Sequence, residues 1–237
     1  MRIMLPLRRP LLLLVLTLIA LVALLPLRLM LDAVALDQRS LAAREARGTI
    51  WRGSLAEAQF GGVPLGDLRV GLRFWPLLLG RARINLERDD PAGLSGSVAI
   101  GRHSFGVDDV SARLDLAGAA PQLPIGALTL SRLSAHFVDG TCTRAEGQVQ
   151  ASSAGLLGTL LPQSTFIGSV RCDAGDLLLP LAETSGIGEL NVRVSSDGPV
   201  RAELLVRSPD DLTRNRLLAA GFQLRGSGYV LAIDPAP

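Results

Sequence analysis

From Leu11 to Leu27 the chain reads "LLLLVLTLIALVALLPL" without a single charged side chain, and this run constrains everything that follows it. With Pro10 before it and "RLML" after it, the apolar stretch reaches roughly 20 residues, the length of helix that crosses a hydrocarbon core of roughly 30 Å. Arg2, Arg8 and Arg9 precede it, and the first acidic residue of the chain is Asp32. That asymmetry predicts a cytoplasmic N-terminus and export of everything beyond the span. Arg28 falls at the far interface, where its side chain can snorkel to headgroups. The alternative is a cleaved signal peptide, with "AVA" at Ala33–Ala35 as the cleavage site. The span is long for a signal peptide, and Arg28 separates it from that site, so the anchor is favoured. The chain then divides into a cytoplasmic segment 1–9, a transmembrane helix 10–31, a connector 32–47 and an exported domain 48–237.

The exported part has little net charge. All 24 basic residues are arginine, four of them within residues 1–31, which leaves 20 against 22 acids beyond the span. A nucleic-acid partner is excluded on this ground, because backbone binding needs a net positive face. Cys142 and Cys172 are the only cysteines. An even number in an oxidising compartment predicts one disulfide, the alternative being two buried thiols.

From Gly48 the pattern is that of β-strands. Leu68, Val70, Leu72 and Phe74 alternate with Arg69, Gly71 and Arg73, and Ala82, Ile84 and Leu86 alternate with Arg81, Arg83, Asn85 and Glu87. Similar runs occupy Val110–Leu116, Leu190–Val194, Val200–Val206 and Tyr229–Ile233. Between the runs lie the turn phrases "RDDPAG", "VDGT", "SSDGP" and "RGSG". Two phrases depart from this pattern. Ser153–Pro162 suits a short helix or turn. Ser208–Gly221 has a Ser cap, Pro209 at the first position, acids in the first turn and a glycine stop, which predicts a helix with Leu212, Leu217 and Leu218 on one face. The expected fold is mainly β: a single N-terminal transmembrane helix, then a curved antiparallel sheet of ten to twelve short strands with one or two short helices.

Nothing in the sequence converges on a reaction. His103 and His136 stand apart in strand-like contexts, and no C-x-x-C or H-x-x-x-H spacing offers a metal site. The pairs Asp89–Asp90, Asp108–Asp109 and Asp210–Asp211 are adjacent in sequence, and adjacent strand residues point to opposite faces. No nucleophile elbow or phosphate-binding loop is present. The expectation is a non-enzymatic protein without cofactor.

The order of several phrases is informative. After the span come G-x-x-W-x-G (Gly48, Trp51, Gly53), "GVPLGDLR", then W-P-L-L-x-G (Trp75, Pro76, Gly80). Farther on are the cysteine pair and a closing "GF…GY" hairpin (Gly221, Phe222, Gly228, Tyr229). This layout resembles the protein N family of the bacterial type II secretion system. The resemblance implies a single-pass inner-membrane protein of Gram-negative bacteria whose periplasmic β-domain associates with other components of the secretion machine. A looser similarity, carried by the W-P-L-L-x-G phrase, is to AsmA-type envelope proteins, and implies lipid handling in a curved groove. Trp51 is read as a core residue of the first hairpin, and alternatively Trp51 or Trp75 faces the membrane or a partner.

Overall fold

The computed structural model describes residues 12–14, 16, 17, 20, 21 and 24–28, and then 41–60, 63–88, 90, 93–116, 125–154, 164–196, 200–207 and 211–233. Parts of the expected span 10–31 and all of 31–40 therefore lie outside the described residues, as do residues 155–162 of the turn or helix expected at Ser153–Pro162, whose Ser153 belongs to a strand. Among the described residues no helix is long and apolar enough to cross a membrane. Short helical stretches are present between Leu12 and Leu21, where Thr17 Oγ1 donates to the Leu13 carbonyl at 2.8 Å.

Among the described residues sixteen strands form one sheet with the path β1-β3-β4-β5-β6-β7-β8-β9-β10-β12-β13-β14-β16-β15, β2 pairing β3 and β11 pairing β12 beside it. It begins with β1 (Leu41–Ala42), β2 (Glu45–Thr49), β3 (Arg52–Phe60), β4 (Val63–Leu72), β5 (Ala82–Glu87) and β6 (Ser95–Ile100). The centre is β7 (Ser104–Asp115), β8 (Ile125–Val138) and β9 (Thr141–Ser153), the longest strands. Then follow β10 (Thr165–Ser169), β11 (Arg171–Asp173), β12 (Asp176–Glu183), β13 (Gly188–Val194), β14 (Val200–Val206), β15 (Gln223–Arg225) and β16 (Gly228–Ile233). Most neighbours in the path are consecutive antiparallel strands, as in a meander. At "VDGT", Asp139 (φ 48°) and Gly140 (φ 76°) both take the left-handed conformation of a tight hairpin. The sheet starts earlier than Gly48, since Leu41–Ala42 and Glu45–Thr49 cover successive parts of the long edge of β3.

The strands are bent by bulges. Register shifts interrupt β3, β7 and β8, and at each a non-glycine residue is left-handed: Glu57, Asp109 and Arg132. A bulge removes a backbone donor from the ladder. Here a side chain of the neighbouring strand replaces the lost partner each time. The N–H groups of Glu57, Asp109 and Arg132 donate to Asp67 Oδ1, Ser134 Oγ and Ser111 Oγ, all at 3.0 Å. Such hydrogen bonds offset the ~1–3 kcal/mol that a left-handed side chain costs.

Two apolar clusters hold the sheet. The smaller gathers Leu27, Leu55, Leu68, Val70, Leu94 and Ala112. The larger runs from Leu133 to Tyr229 and includes Phe166, Leu190, Leu204, Val206 and Phe222, and Leu130 packs against both. The alternating row of β4 holds for Leu68 and Val70, which are buried, and ends at Leu72. Phe74 is not the next inward residue, because it opens a helix, α1 (Phe74–Leu78), with Pro76 accommodated in the first turn. The second helix, α2 (Asp211–Ala219), occupies the place the sequence predicts, although Ser208–Asp210 lie outside the described residues. It ends in a Schellman motif: the Phe222 N–H donates to the Leu217 carbonyl and the Gly221 N–H to Leu218 (3.0 and 3.1 Å), with Gly221 at φ 90°. Leu217 is fully buried whereas Leu218 is exposed, so of these two leucines of the expected face Leu217 docks the helix; the Leu212 side chain lies outside what is described.

Candidate functional interface

The last described residues of the apolar N-terminal run are built into the sheet. The Ile50 N–H donates to the Leu25 carbonyl at 3.1 Å, Pro26 bridges Thr49, and Leu27 is buried in the smaller cluster. The G-x-x-W-x-G phrase is the socket for this junction. Gly48, at φ 87° where β2 turns into β3, has no room for a side chain, since an added Cβ would meet the Arg52 carbonyl at 2.6 Å. Gly53 leaves space for Leu27, whose Cδ2 would lie 2.6 Å from a Cβ there. Gly48 and Gly53 pair across the β2–β3 hairpin, and Gly53 makes room for the apolar segment.

Trp51, in the turn between these glycines, is half-buried and touches Phe74 with ring centroids 5.9 Å apart, and Phe74 in turn meets Trp75 edge-on at 5.9 Å. The two tryptophan phrases, twenty residues apart, thus meet at one end of the sheet. Helix α1 has no buried residue, and Trp75 is 77% exposed, Leu78 64% and Leu79 81%. Pro76 and Gly80 give the phrase its shape: the Pro76 carbonyl accepts from the Leu79 and Arg81 N–H groups, and Gly80 at φ 71° ends the helix. The sequence pattern missed Phe74, Leu78 and Leu79 as surface residues. The available signal was six unbroken apolar residues closed by a glycine, too many for one face of a strand.

Beside α1 runs a groove of about 540 Å³ lined by Leu79, Ile100, Phe105 and Val138, with polar residues in its wall. There Arg83 Nη2 donates to Asp108 Oδ2 (2.9 Å) and Arg83 Nε to Ser97 Oγ (3.1 Å), while His136 Nε2 lies 2.9 Å from Asp108 Oδ1. His136 therefore does not stand alone as the sequence suggested, and His103 lies 3.4 Å from Asp139. Both oxygens of Asp108 are engaged, and His136 Nδ1 packs against the β7 backbone so closely that a Cβ on Gly106 would approach it to 2.7 Å. The network joins β5, β6, β7 and β8. Among the described residues no group of three or more His, Cys, Asp or Glu could hold a metal ion.

Near the middle of the path, Cys142 and Cys172 form a disulfide with Cα atoms 5.5 Å apart, tying β9 to β11. Gly221 and Phe222 of the closing hairpin serve packing, Phe222 being buried beside Tyr229. Glu183 is the one buried carboxylate among the described residues. Burial pushes its pKa up, but hydrogen bonds from the Ser185 side chain and backbone, the Ile187 backbone and the Ser164 side chain outweigh it and hold the carboxyl below its usual range.

The fold is an antiparallel meander with exposed apolar side chains on and beside α1. Comparison with known proteins gives this fold a family. The model of type II secretion system protein N matches residues 39–231, and the chain belongs to that family, with a role in type II secretion. A relative, the type II secretion system protein N of Vibrio cholerae serotype O1 (strain ATCC 39315 / El Tor Inaba N16961), is 28% identical over 171 residues, covering 66% of this chain and 68% of its own. No solved structure matches.

Proposed function

We propose that the protein is a non-enzymatic accessory component of the type II secretion machine, held in the inner membrane by residues 10–31, and that its periplasmic β-domain assembles or stabilises neighbouring components. The observation that carries this reading, beyond family membership, is the junction at Leu25–Leu27. Pro26 bridges Thr49 and Leu27 is buried in the smaller cluster, so the chain leaving the span would be held against the domain and would keep its surfaces near the membrane. Partners in the same membrane then meet it at high effective concentration, so weak contacts suffice.

The surface best suited to such a contact is the open edge at the end of the path. Strand β15 is exposed throughout, and β16 extends beyond it at Leu231–Ile233, where it pairs with β14 alone among the described residues. A partner strand can add to such an edge through backbone hydrogen bonds, with Leu224 offering an apolar side chain. Photocrosslinkers at Leu224 and Ala232, in cells secreting a type II cargo, are expected to trap another component of the machine. Deleting the gene is expected to lower cargo export without altering lipid composition. Normal export in the deletion strain, with lipid alone captured at both positions, would replace this reading with lipid handling. A reporter active only outside the cytoplasm, fused after Pro237, tests the topology and is expected to be active.

A further inference from the structure

We infer that α1, with Trp51 behind it, is a second membrane contact: a short wedge that enters the outer leaflet of the inner membrane beside the span. The inference rests on the reading of residues 10–31 as that span.

Position is the first argument. The Leu25 carbonyl bonds the Ile50 N–H at 3.1 Å, and the Ile50 carbonyl bonds the Leu72 N–H at 3.0 Å. Three segments therefore lie side by side, so Leu72, two residues before the wedge, sits only two interstrand spacings, roughly 10 Å, from the chain leaving the span. Composition is the second. Trp75, Leu78 and Leu79 project from a helix that buries nothing, and soluble surfaces rarely leave so much contiguous apolar area open. Tryptophan is the residue most at home at the boundary of headgroups and acyl chains.

Charge decides which partner fits. Between Asp67 and Glu87 the chain has no acid, and Arg73 and Arg81 flank the wedge, both exposed, with Arg52 exposed in the adjoining turn. Apolar side chains ringed by arginine complement anionic phospholipid, with guanidinium groups at phosphate level and rings below. Five helical residues cannot anchor a free protein, but this helix is preformed and already held beside the membrane. The β-domain would thus be fixed at two points, which sets its rotation as well as its height.

The chain has two tryptophans, both in this region, so intrinsic emission reports on it alone. The full chain is reconstituted into vesicles of phosphatidylethanolamine and phosphatidylglycerol doped with phosphatidylcholine brominated at shallow or deep acyl positions. Trp75→Phe, a change at an exposed site, isolates the Trp75 contribution by difference. Shallow bromines are expected to quench the Trp75 component at least two-fold more than deep ones, with little quenching by aqueous acrylamide. Quenching by acrylamide but not by bromolipid overturns the wedge, and so does shielding from both, which would mean a protein contact. An alkaline wash separates the two readings. A chain retained in the membrane with Trp75 unquenched by bromolipid loses the wedge alone. Release with Trp75 unquenched removes both readings, and release with shallow quenching supports the wedge while removing the span.

Discussion

At the Leu25–Gly80 end of the molecule Phe74 and Trp75 lie open to solvent, whereas toward the closing hairpins Phe166, Phe222 and Tyr229 are almost wholly enclosed. The side chains are of one kind and the surroundings differ. Phe166 lies on β10, between β9 and β12, in the same cluster as Leu217 of α2. Helix α1 lies in the connection between β4 and β5 and contains no buried residue. Aromatic residues inside a meander are core by default, and those in its end connections are available for other work. The contrast predicts that mutations at the two ends affect different properties: stability in the hairpin region, membrane or partner contact at the α1 end.

The largest effect belongs to the enclosed end. Phe166→Ala, at 1% exposure, is expected to lower unfolding free energy by about 3–5 kcal/mol in denaturant titration of the detergent-solubilised protein. A loss below about 1 kcal/mol would mean that this cluster is not the stabilising core. Next is the disulfide. Reduction, or Cys142→Ser with Cys172→Ser, frees a cross-link across 30 residues and is expected to cost about 3–4 kcal/mol on the chain-entropy model. Equal midpoints with and without reductant would break the prediction.

The junction comes third. Gly53→Val drives a side chain into the place of Leu27, and overpacking of this kind costs about 1–3 kcal/mol. Its distinguishing result is local: proteolysis between residues 28 and 45 should accelerate while the disulfide hairpins stay resistant.

Smaller still is Glu183→Gln, about 1 kcal/mol at neutral pH, because the hydrogen bonds to Ser185 become weaker without the charge. The folded pKa lies below the ordinary value of about 4.3, so the ionised carboxylate adds stability above that pH. That contribution is lost as pH falls through the folded value, and wild type and variant should converge there. Divergence with rising acidity would reverse the sign of the argument. At the open end, Trp75→Ala should change stability by no more than about 0.5 kcal/mol. A larger loss would mean that α1 is packed against something, and the contrast between the two ends would fail.

Much of the strand pattern was legible, and the particular successes have local causes. The turn at Asp139–Gly140 and the end of α2 at Gly221 depend on conformations that few residues accept, so the residue type announces the geometry. The expected ten to twelve strands fell short of sixteen because bulged strands such as β7 and β8 lose their period-two pattern at Asp109 and Arg132. Phe74 was misassigned for a related reason: a row of alternating residues does not say where the strand stops. His136 looked isolated because Arg83 and Asp108 lie 53 and 28 residues from it in sequence, and only register makes them neighbours.

By itself, the sequence determined the features that depend on residue type and short-range order: a charge-free run ahead of the domain, a mainly β pattern, one pair of cysteines, and a helix near the end that stops at a glycine. Tertiary structure alone decided how Leu27 fills the space at Gly53, that Trp51 and Trp75 share one surface, and that the Asp108 carboxylate is held between Arg83 and His136. Pairing register fixes those contacts, and register depends on bulges and on burial summed over whole strands. No short window of residues contains that sum.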